Sequence, residues 1–429
     1  MPALTKAQRK LAQAAEESFN RTYAAQFGED RWTTSLYPAL AAPTRYAVLV
    51  NRFAGAGAGA ESSLSLSTES EVATNSTKRS LCRITFPQRK GSDGITTEPA
   101  SACPLEAYHW ITKITTTAAG EGVEGESEVK EDEAAAEPPF RQPESDVSSG
   151  QMTHWNLDAA SLLAVSILDP QPGDKVLDLC AAPGGKSLAI AQCLLNSPDS
   201  ASTSSPSAPL ISKNSDPFSG GCLHSNEPNA GRNKRLASNL RSYLPETLFT
   251  DNQTSSVRVL KFDGAEISQS SPSQPPTQLG TQSHWGSYDK VLLDAPCSSE
   301  RHVIHSSAKN GILDWRSTTS KNAAKTQSAL LLSALRAVRV GGRVLYATCS
   351  LSNDENDGVV DKAFELVAKE RKKFGVKWDF GVVRAGIEDG SLEREWAERT
   401  KHGWLVLPDH PSCGKWGPLF FALLEKVEA

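Results

Sequence analysis

Two cysteines stand just beyond predicted strand ends, where a thiol is free to react. Cys297 lies in the stretch DAPCSS and Cys349 in the stretch YATCSLS. Each follows a short run rich in Val or Leu, which predicts a buried strand. A structural cysteine packs along an apolar face, whereas these two stand beside polar groups. We therefore interpret Cys297 and Cys349 as reactive, and Cys193 and Cys222 as small core residues.

The chemistry that such a pair suits is covalent catalysis on a pyrimidine ring. A thiolate that adds to C6 of cytosine makes C5 able to take a methyl group, and cysteine does this well near neutral pH. A carboxylate facing N3 and N4 would stabilise the protonated ring, which is the role we expect for Asp294. A second thiol would assist release of the adduct, and Lys186 would favour the thiolate form.

These side chains converge only if a sheet brings the strand ends together. From Thr153 onward, Val- and Leu-rich runs alternate with helical patterns, which predicts an α/β fold with a mostly parallel sheet and helices on both faces. We expect strands four and five to be neighbours of strand one, and LFFALLEKV to close the sheet edge. The predicted strands are DKVLDL, GCLHSN, VRVLKFD, YDKVLLD and GRVLYATC. The predicted helices are WNLDAASLLAVSIL, KSLAIAQCLL, NAGRNKRLASNLRSYL and NAAKTQSALLLSALRAVR.

The turn after the first strand, CAAPGGKS, has two interpretations. Its end matches the end of a Walker phosphate loop, but that motif needs glycine at position 180, where the chain has cysteine. Pro183 also lacks the backbone N–H that a phosphate cradle uses. The small residues instead let a cofactor approach the carboxyl end of the strand. They are Ala181, Ala182, Gly184 and Gly185.

Carboxylates at the next strand ends favour a cofactor that contains ribose and adenine. Glu227 follows the second strand and would meet a ribose diol, and Asp263 follows the third and would reach an adenine amine. Without a phosphate requirement, these residues favour S-adenosylmethionine over NAD. The structural alternative for each acid taken singly is a helix N-cap.

The composition is that of a folded core interrupted by polar blocks. Of the 429 residues, 38% are hydrophobic and 22% are charged, and the formal net charge is −5. Gly120 to Glu137 alone carries −7, which leaves +2 on the remainder and permits RNA binding. The eight cysteines form no CxxC pair and no zinc-finger spacing, so we expect neither a disulfide scaffold nor a metal site, and a reducing compartment.

No membrane span and no secretory signal are expected, because no apolar run has the required length. The first fifteen residues carry Lys6, Arg9 and Lys10 and no acid. They predict either a short transit-type amphipathic helix or an ordinary surface helix.

The chain divides into three predicted regions. Residues 1–115 form an N-terminal helical, RNA-side region with a low-complexity linker at 54–80, residues 116–150 an acidic disordered linker, and residues 151–429 a catalytic domain. Disordered Ser/Pro-rich inserts are expected at about 196–220 and 268–285. The stretch from Thr5 to Phe53 is predicted helical, with Phe19, Tyr23 and Phe27 on one stripe, and LCRITFP is a short strand candidate.

The stretches DLCAAPGGKS, DAPCSS and ATCSLS, in this order and spacing, resemble the Nop/Sun (RsmB-like) family of RNA cytosine-5 methyltransferases over about residues 153 to 425. The resemblance implies a Rossmann-like methyltransferase fold with S-adenosylmethionine as cofactor. It also implies that Cys349 is the nucleophile and that Cys297 promotes product release. The assignment of roles between the two thiols rests on the resemblance alone.

Carried over position by position, the resemblance implies a cofactor site and a catalytic site, with no metal. Glu227 stands where the family usually has aspartate. The implied catalytic residues are Cys349, Cys297, Asp294 and Lys186. The implied cofactor-binding residues are Cys180, Ala181, Ala182, Pro183, Gly184, Gly185, Lys186, Glu227, Arg232, Asp263, Gly264 and Asp294.

Three stretches are similar to the mitochondrial branch of the family: FNRTYAAQFGEDRW, RYAVLVNRFA and DAPCSSERHVIH. This similarity implies that the substrate is ribosomal RNA, or else tRNA. It also implies a mitochondrial location in place of a cytoplasmic or nuclear one. No appended RNA-binding domain is evident, so RNA is expected on the catalytic surface or on a partner protein. Candidate contacts are Arg301, His302, His305 and the run Lys369 to Lys377. Two alternatives remain: an ATPase built on GGKS, and a scaffold of this fold without activity.

Overall fold

The structure is a computed structural model that describes residues 6–55, 77–87, 105–114, 140–195, 221–249, 255–267, 286–384, 390–412 and 414–429. The inserts predicted at 196–220 and 268–285 lie outside these residues, as does most of the predicted linkers 54–80 and 116–150. The three-region division stays a prediction.

The main sheet has a parallel centre, as predicted. Within the described residues the strand order is β11-β12-β13-β9-β8-β5-β6-β7, and β10 pairs with β13. The pairs β5–β6, β6–β7, β5–β8 and β8–β9 are all parallel. The strands are β5 Lys175–Asp178, β6 Cys222–Asn226, β7 Val257–Leu260, β8 Tyr288–Asp294, β9 Val338–Thr348, β10 Trp378–Val382, β11 Glu398–Arg399, β12 Trp404–Val406 and β13 Leu419–Glu428.

Because β5 to β9 run in one direction, their carboxyl ends meet at one edge of the sheet, which we call the C-terminal edge. Strand four of the prediction, β8, does pair with strand one, β5. Strand five, β9, pairs with β8 and not with β5, so that part of the predicted strand order is wrong. The loops after β8 and β9 are therefore direct neighbours.

Helices cover both faces of the main sheet. Along β5, Val176 packs into a core with α4, α5 and α6, whereas Leu177 packs into a second core with α1, α9 and α10. This alternation is the period-two pattern of a strand buried on both faces. The helices are α1 Lys6–Phe27, α2 Glu29–Arg31, α3 Tyr37–Ala41, α4 Ala159–Leu168, α5 Gly185–Leu194, α6 Ala230–Tyr243, α7 Gly264–Ile267, α8 Glu300–Asn310, α9 Ser317–Ala337, α10 Asp357–Phe374 and α11 Ser391–Glu395.

The last strand, β13, is not at the sheet edge, so that prediction is wrong. It pairs antiparallel with β9 on one side and with β12 and β10 on the other. Its first six residues, Leu419 to Leu424, are all buried. A strand with an apolar run buried on both faces needs neighbours on both sides, whereas edge strands are short or charged.

The N-terminal stretch is helical only in its first part. The predicted aromatic stripe is confirmed, since Phe19 and Tyr23 are fully buried on α1. A π-helical turn at Trp32–Leu36 links α2 and α3. The helix predicted up to Phe53 is wrong beyond α3, because Ala47–Val50 forms strand β1, whose β-branched sequence AVLV finds two pairing partners.

A second sheet has the order β2-β3-β1-β4. Its strands are β1 Ala47–Val50, β2 Thr77–Arg83, β3 Ala107–Ile114 and β4 His154–Leu157. The helix predicted from Trp155 begins later, at Ala159, because Asp158 caps it by accepting the Ala160 N–H at 2.8 Å. Strand β4 thus joins the N-terminal region to the first helix of the main sheet.

Among the described helices, none combines the length and the apolarity that crossing a bilayer requires. The described residues also contain no group of three or more His, Cys, Asp or Glu side chains arranged to hold a metal ion.

Candidate active site

The turn between β5 and α5 lies at the C-terminal edge of the sheet. Gly184 has φ +120°, a conformation that residues with a side chain rarely adopt. A Cβ on Gly185 would lie 2.8 Å from Nε1 of Trp155, so the turn packs directly against this indole. Arg232 donates to the Ala182 carbonyl at 3.0 Å. The predicted cofactor turn is therefore held from two sides by side chains.

Two predicted cofactor acids lie at successive strand ends. Glu227 follows β6, is buried, and accepts the Asn229 N–H at 2.9 Å, while Arg232 lies 3.4 Å from its other oxygen. Asp263 follows β7, is exposed, and accepts the Ala265 N–H at 2.8 Å. Both acids therefore also order the loop that carries them. The second carboxylate oxygen of Asp263 has no hydrogen bond to a described residue and stays available to a ligand.

At Gly264, the next residue, close packing leaves no room for a side chain. A Cβ there would lie 2.9 Å from Leu330 and 3.2 Å from Leu179. The missing side chain lets the short helix α7 approach β5 and α9, which brings the Asp263 loop toward the cofactor turn.

Asn226, which the sequence reasoning missed, connects the loops around this site. It is fully buried, and its amide donates to the carbonyls of Leu179 and Phe262 at 3.0 and 3.1 Å. Its oxygen accepts the Phe262 N–H at 3.0 Å. The signal in the sequence is an asparagine at the end of a predicted buried strand, because a buried amide needs hydrogen-bond partners.

Asp178, the last residue of β5, was also missed, although it is a fourth acid at a strand end. It is buried and accepts the Ser187 hydroxyl at 2.6 Å. Burial raises the pKa of Asp178 to about 7, and the Asp294 charge adds to this, while the Ser187 hydrogen bond opposes it. This hydrogen bond between Ser187 and Asp178 connects α5 to the end of β5, across the predicted cofactor turn.

The structure brings the two predicted thiols together. The Sγ atoms of Cys297 and Cys349 are 3.0 Å apart. Beside them Lys186 donates to Asp294 at 2.8 Å, and the Asp294 side chain keeps 33% of its surface exposed, enough to face a bound substrate. Burial alone would lower the pKa of Lys186, but the Asp294 charge and hydrogen bond raise it, so the ammonium stays charged.

The two thiols have opposite pKa shifts. The hydrogen bond from Cys297 lowers the pKa of Cys349, burial opposes this, and a hydrogen bond from Ser299 and the Lys186 charge assist it. The same hydrogen bond, together with burial, raises the pKa of Cys297. The shifts favour Cys297 as the hydrogen-bond donor and Cys349 as the sulfur that loses its proton first.

Ser299 is a further group at the thiol pair that the sequence reasoning missed. Its Oγ lies 3.0 Å from Sγ of Cys349. Ser299 has φ +58°, which is uncommon for a residue with a side chain and holds the hydroxyl at the sulfur. A thiolate accepts a hydrogen bond from a hydroxyl group, so this contact would stabilise the ionised form of Cys349.

We predict that Ser299→Ala shifts ionisation of Cys349 to higher pH, because a donor to the thiolate is lost. The measurement is the pH dependence of iodoacetamide alkylation of the Cys349 peptide, followed by mass spectrometry. Ser299→Gly removes the hydroxyl and also the unfavourable φ, so an equal shift in both variants assigns the effect to the hydroxyl. An unchanged profile in both would contradict the contact.

Two of the predicted RNA contacts are structural instead. Arg301 is buried and donates to the Gly417 carbonyl, and His305 lies 3.0 Å from the Leu40 carbonyl. Both tie α8 to neighbouring segments, so they are not free to bind RNA. His302 is exposed. In the run Lys369 to Lys377, the exposed lysines lie at the C-terminal end of α10, where cations suit the helix dipole.

Comparison with known proteins identifies the family of the chain. A family model described as 16S rRNA methyltransferase RsmB/F matches residues 219–382. The 5-cytosine rRNA methyltransferase NSUN4 of Bos taurus is 30% identical over 95% of this chain and 87% of its own length. A mitochondrial tRNA (cytosine(34)-C(5))-methyltransferase of Mus musculus is 31% identical over 67% of this chain and 68% of its own.

Among solved structures, the crystal structure of NSun6 from Pyrococcus horikoshii with SFG has a TM-score of 0.54 at 16% identity. The match covers 96% of this chain and 98% of that one, which supports the fold. These relatives show that the chain belongs to the RsmB/F, or Nop/Sun, family of S-adenosylmethionine-dependent RNA cytosine-5 methyltransferases.

Proposed function

We propose that the protein methylates C5 of a cytosine in mitochondrial ribosomal RNA through a covalent bond between Cys349 and C6 of the base. The observation that carries this proposal is the 3.0 Å contact between Cys297 and Cys349 beside the Lys186–Asp294 pair. A partly buried pair of reduced thiols at the C-terminal edge of a parallel sheet suits covalent catalysis better than packing.

The residues at this edge fit S-adenosylmethionine. When bound, it supplies an electrophilic methyl group to C5 of the base. A carboxylate such as Glu227 would accept the ribose hydroxyls, and the available oxygen of Asp263 would suit the adenine amine. The turn Cys180 to Lys186, with Gly184 at positive φ, offers backbone groups to the methionine part.

In the first step, the Cys349 thiolate adds to C6 of the cytosine. A carbon–sulfur bond forms, and the electrons of the C5–C6 double bond move into the ring, which gains negative charge. The charged Lys186 ammonium, which donates to Asp294 beside the thiols, would stabilise this charge. The target base must leave its stack to reach the thiols.

Release of the product requires a base for the C5 proton, and we assign that role to Cys297. Its pKa is raised mainly by its hydrogen bond to Cys349. Once Cys349 is bonded to carbon it no longer accepts that proton, so Cys297 loses it more readily to water. The Cys297 thiolate then takes the C5 proton, the C6–S bond breaks, and Cys349 leaves as a thiolate.

The proposed target rests on the names of the relatives and not on the geometry of the site. The Bos taurus relative is named for rRNA, and the Mus musculus relative for mitochondrial tRNA. The test is methyl transfer from labelled S-adenosylmethionine to transcripts of mitochondrial small-subunit rRNA and methionine tRNA, followed by bisulfite sequencing. Methylation of the tRNA alone would replace the proposed target, and methylation of neither by a folded protein would favour a scaffold without activity.

A groove between α9 and α10 is placed to hold the RNA backbone near the thiols. It has a volume of about 600 Å³, with Lys321, Lys325 and Lys362 on its rim. Asp354, in the loop that follows Cys349, also lines this groove, so the groove extends to that loop.

We predict that Lys321→Ala/Lys325→Ala raises KM for RNA about tenfold and leaves kcat unchanged. Neither lysine makes an ion pair within the described part of the chain, so both are available to phosphates. The slope of log KM against log salt should fall by about 1.4, since each lost contact to a single strand contributes about 0.7. Arg9→Ala/Lys10→Ala, which removes two exposed cations near the start of α1, is the matched control. Equal effects in both pairs would exclude the groove as the RNA site.

A further inference from the structure

The loops that carry the thiols are connected by two buried carboxylates. We call residues 295–299 the first cysteine loop and residues 349–356 the second cysteine loop. Glu300, directly after the first loop, is fully buried. Its carboxylate accepts the Leu351 N–H at 2.9 Å and lies 3.3 Å from the Ser350 hydroxyl, both in the second loop.

Glu355, at the end of the second loop, makes the reciprocal connection. It is fully buried, and it accepts the Ser298 N–H of the first loop at 3.0 Å. Gln327 of α9 donates to the same carboxylate at 2.9 Å. An acid in or directly after each loop therefore holds a backbone N–H of the other loop, and the hydroxyl of Ser298 lies against both acids.

This reciprocal pair determines how far apart the two loops are. Ser298 adjoins Cys297, and Leu351 lies two residues after Cys349, so each backbone anchor is close to a thiol. Within the described residues neither acid forms an ion pair. Burial raises the pKa of Glu300, and the charge of Glu355 adds to this. Such acids persist in a core only when hydrogen-bond donors surround them, so their positions are tightly constrained.

The N-terminal helix α1 contacts both Glu300 and the second cysteine loop. The Tyr23 hydroxyl donates to Glu300 at 2.7 Å, and the Gln26 amide donates to the Leu351 carbonyl at 2.6 Å. The two residues lie almost one turn apart on α1, so one face of the helix spans the gap between the loops.

Tyr23 is itself held rigidly. It is 1% exposed, and its ring centroid lies 4.9 Å from Phe19, 5.4 Å from Trp32 and 6.2 Å from Trp315. Burial and the Glu300 charge raise its pKa far above the usual range, so the phenol remains a hydrogen-bond donor.

We propose that Tyr23, Glu300 and Glu355 are positioning residues that hold Cys297 and Cys349 in contact, which makes helix α1 part of the active site. The inference rests on the covalent reaction proposed above. It assigns a catalytic purpose to a helix of the predicted N-terminal region, more than 250 residues away from the thiols in sequence.

The test is Tyr23→Phe, which removes one hydroxyl and leaves the ring in place. We expect kcat for RNA methylation to fall about 10- to 100-fold, as when a hydrogen bond to a charged group is lost or a reacting group is displaced. KM for RNA and for S-adenosylmethionine should stay unchanged, because no residue that contacts either ligand is altered. Without RNA, alkylation of Cys349 should shift to higher pH as its donors move away.

The matched control is Tyr37→Phe. Tyr37 belongs to the same aromatic cluster, with its ring centroid 5.4 Å from Trp32, and its hydroxyl has no hydrogen-bond partner among the described residues. Thermal unfolding of both variants separates a loss of stability from a loss of positioning. Glu300→Gln, which keeps an acceptor for Leu351, should retain more activity than Glu300→Ala.

Two results would overturn the inference. One is a Tyr23→Phe variant whose kcat and alkylation profile equal those of Tyr37→Phe. The other is a raised KM for RNA with unchanged kcat, which would make α1 a binding element. If the alkylation profile shifts but even the unaltered protein methylates no RNA, the positioning role is supported and the proposed function fails.

Discussion

Cys349→Ala should abolish methyl transfer, with a loss on the order of 10⁴-fold or more, the scale on which an enzyme loses a covalent nucleophile. Without the sulfur no bond to C6 forms, and C5 of cytosine stays too weak a nucleophile to take a methyl group. The measurement is incorporation of label from S-adenosylmethionine into substrate RNA under single-turnover conditions. The variant should still bind RNA, since the thiol takes part in the reaction and contributes little to the affinity for RNA.

The matched control is Cys82→Ala. Cys82 is a half-buried cysteine on β2, in the second sheet, and has no contact with the thiol pair. It should keep full activity. A Cys349→Ala variant that retained more than about one hundredth of the activity would show that Cys349 is not the nucleophile.

Cys297→Ala should have the second-largest effect and a different signature. Addition of Cys349 to C6 proceeds, but the base for the C5 proton is missing, so a protein–RNA adduct accumulates. The adduct should appear as a slowly migrating band that survives denaturing electrophoresis, with at most one methyl group transferred per protein. Loss of the Cys297 donor also raises the pKa of Cys349, so adduct formation should be fastest at alkaline pH.

The double variant Cys297→Ala/Cys349→Ala is the control for this experiment and should form no adduct. If instead Cys349→Ala trapped the RNA and Cys297→Ala did not, the two roles would be reversed. The opposite pKa shifts of the thiols favour the assignment made above, since the sulfur with the lower pKa loses its proton first and becomes the nucleophilic thiolate.

Local patterns were sufficient to predict the parallel sheet and the position of the cysteines at strand ends. Runs such as YDKVLLD and GRVLYATC are buried on both faces, so their composition reports the strand directly. The carboxyl ends of parallel strands meet at one edge, which is why convergence of Asp294, Cys297 and Cys349 was predictable without coordinates. The resemblance added the cofactor and the roles of the thiols, which spacing alone left open.

Prediction failed where partners distant in sequence decide the outcome. AVLV at Ala47–Val50 becomes a strand because β3 and β4 pair with it, and β13 lies inside the sheet because β10 and β12 cover its outer side. Arg301 and His305 were predicted as RNA contacts, because the carbonyls that they bind, those of Gly417 and Leu40, are distant in sequence.

The sequence by itself therefore predicted the fold class, a turn suited to a cofactor and two cysteines beyond strand ends, because each of these rests on local patterns of residues. Only the tertiary structure decided that the two sulfurs are in contact and that the Ser299 hydroxyl contacts Cys349. It also decided that Tyr23 donates a hydrogen bond to Glu300, 277 positions away in sequence. The physical reason is that hydrogen bonds act over about 3 Å whatever the separation along the chain.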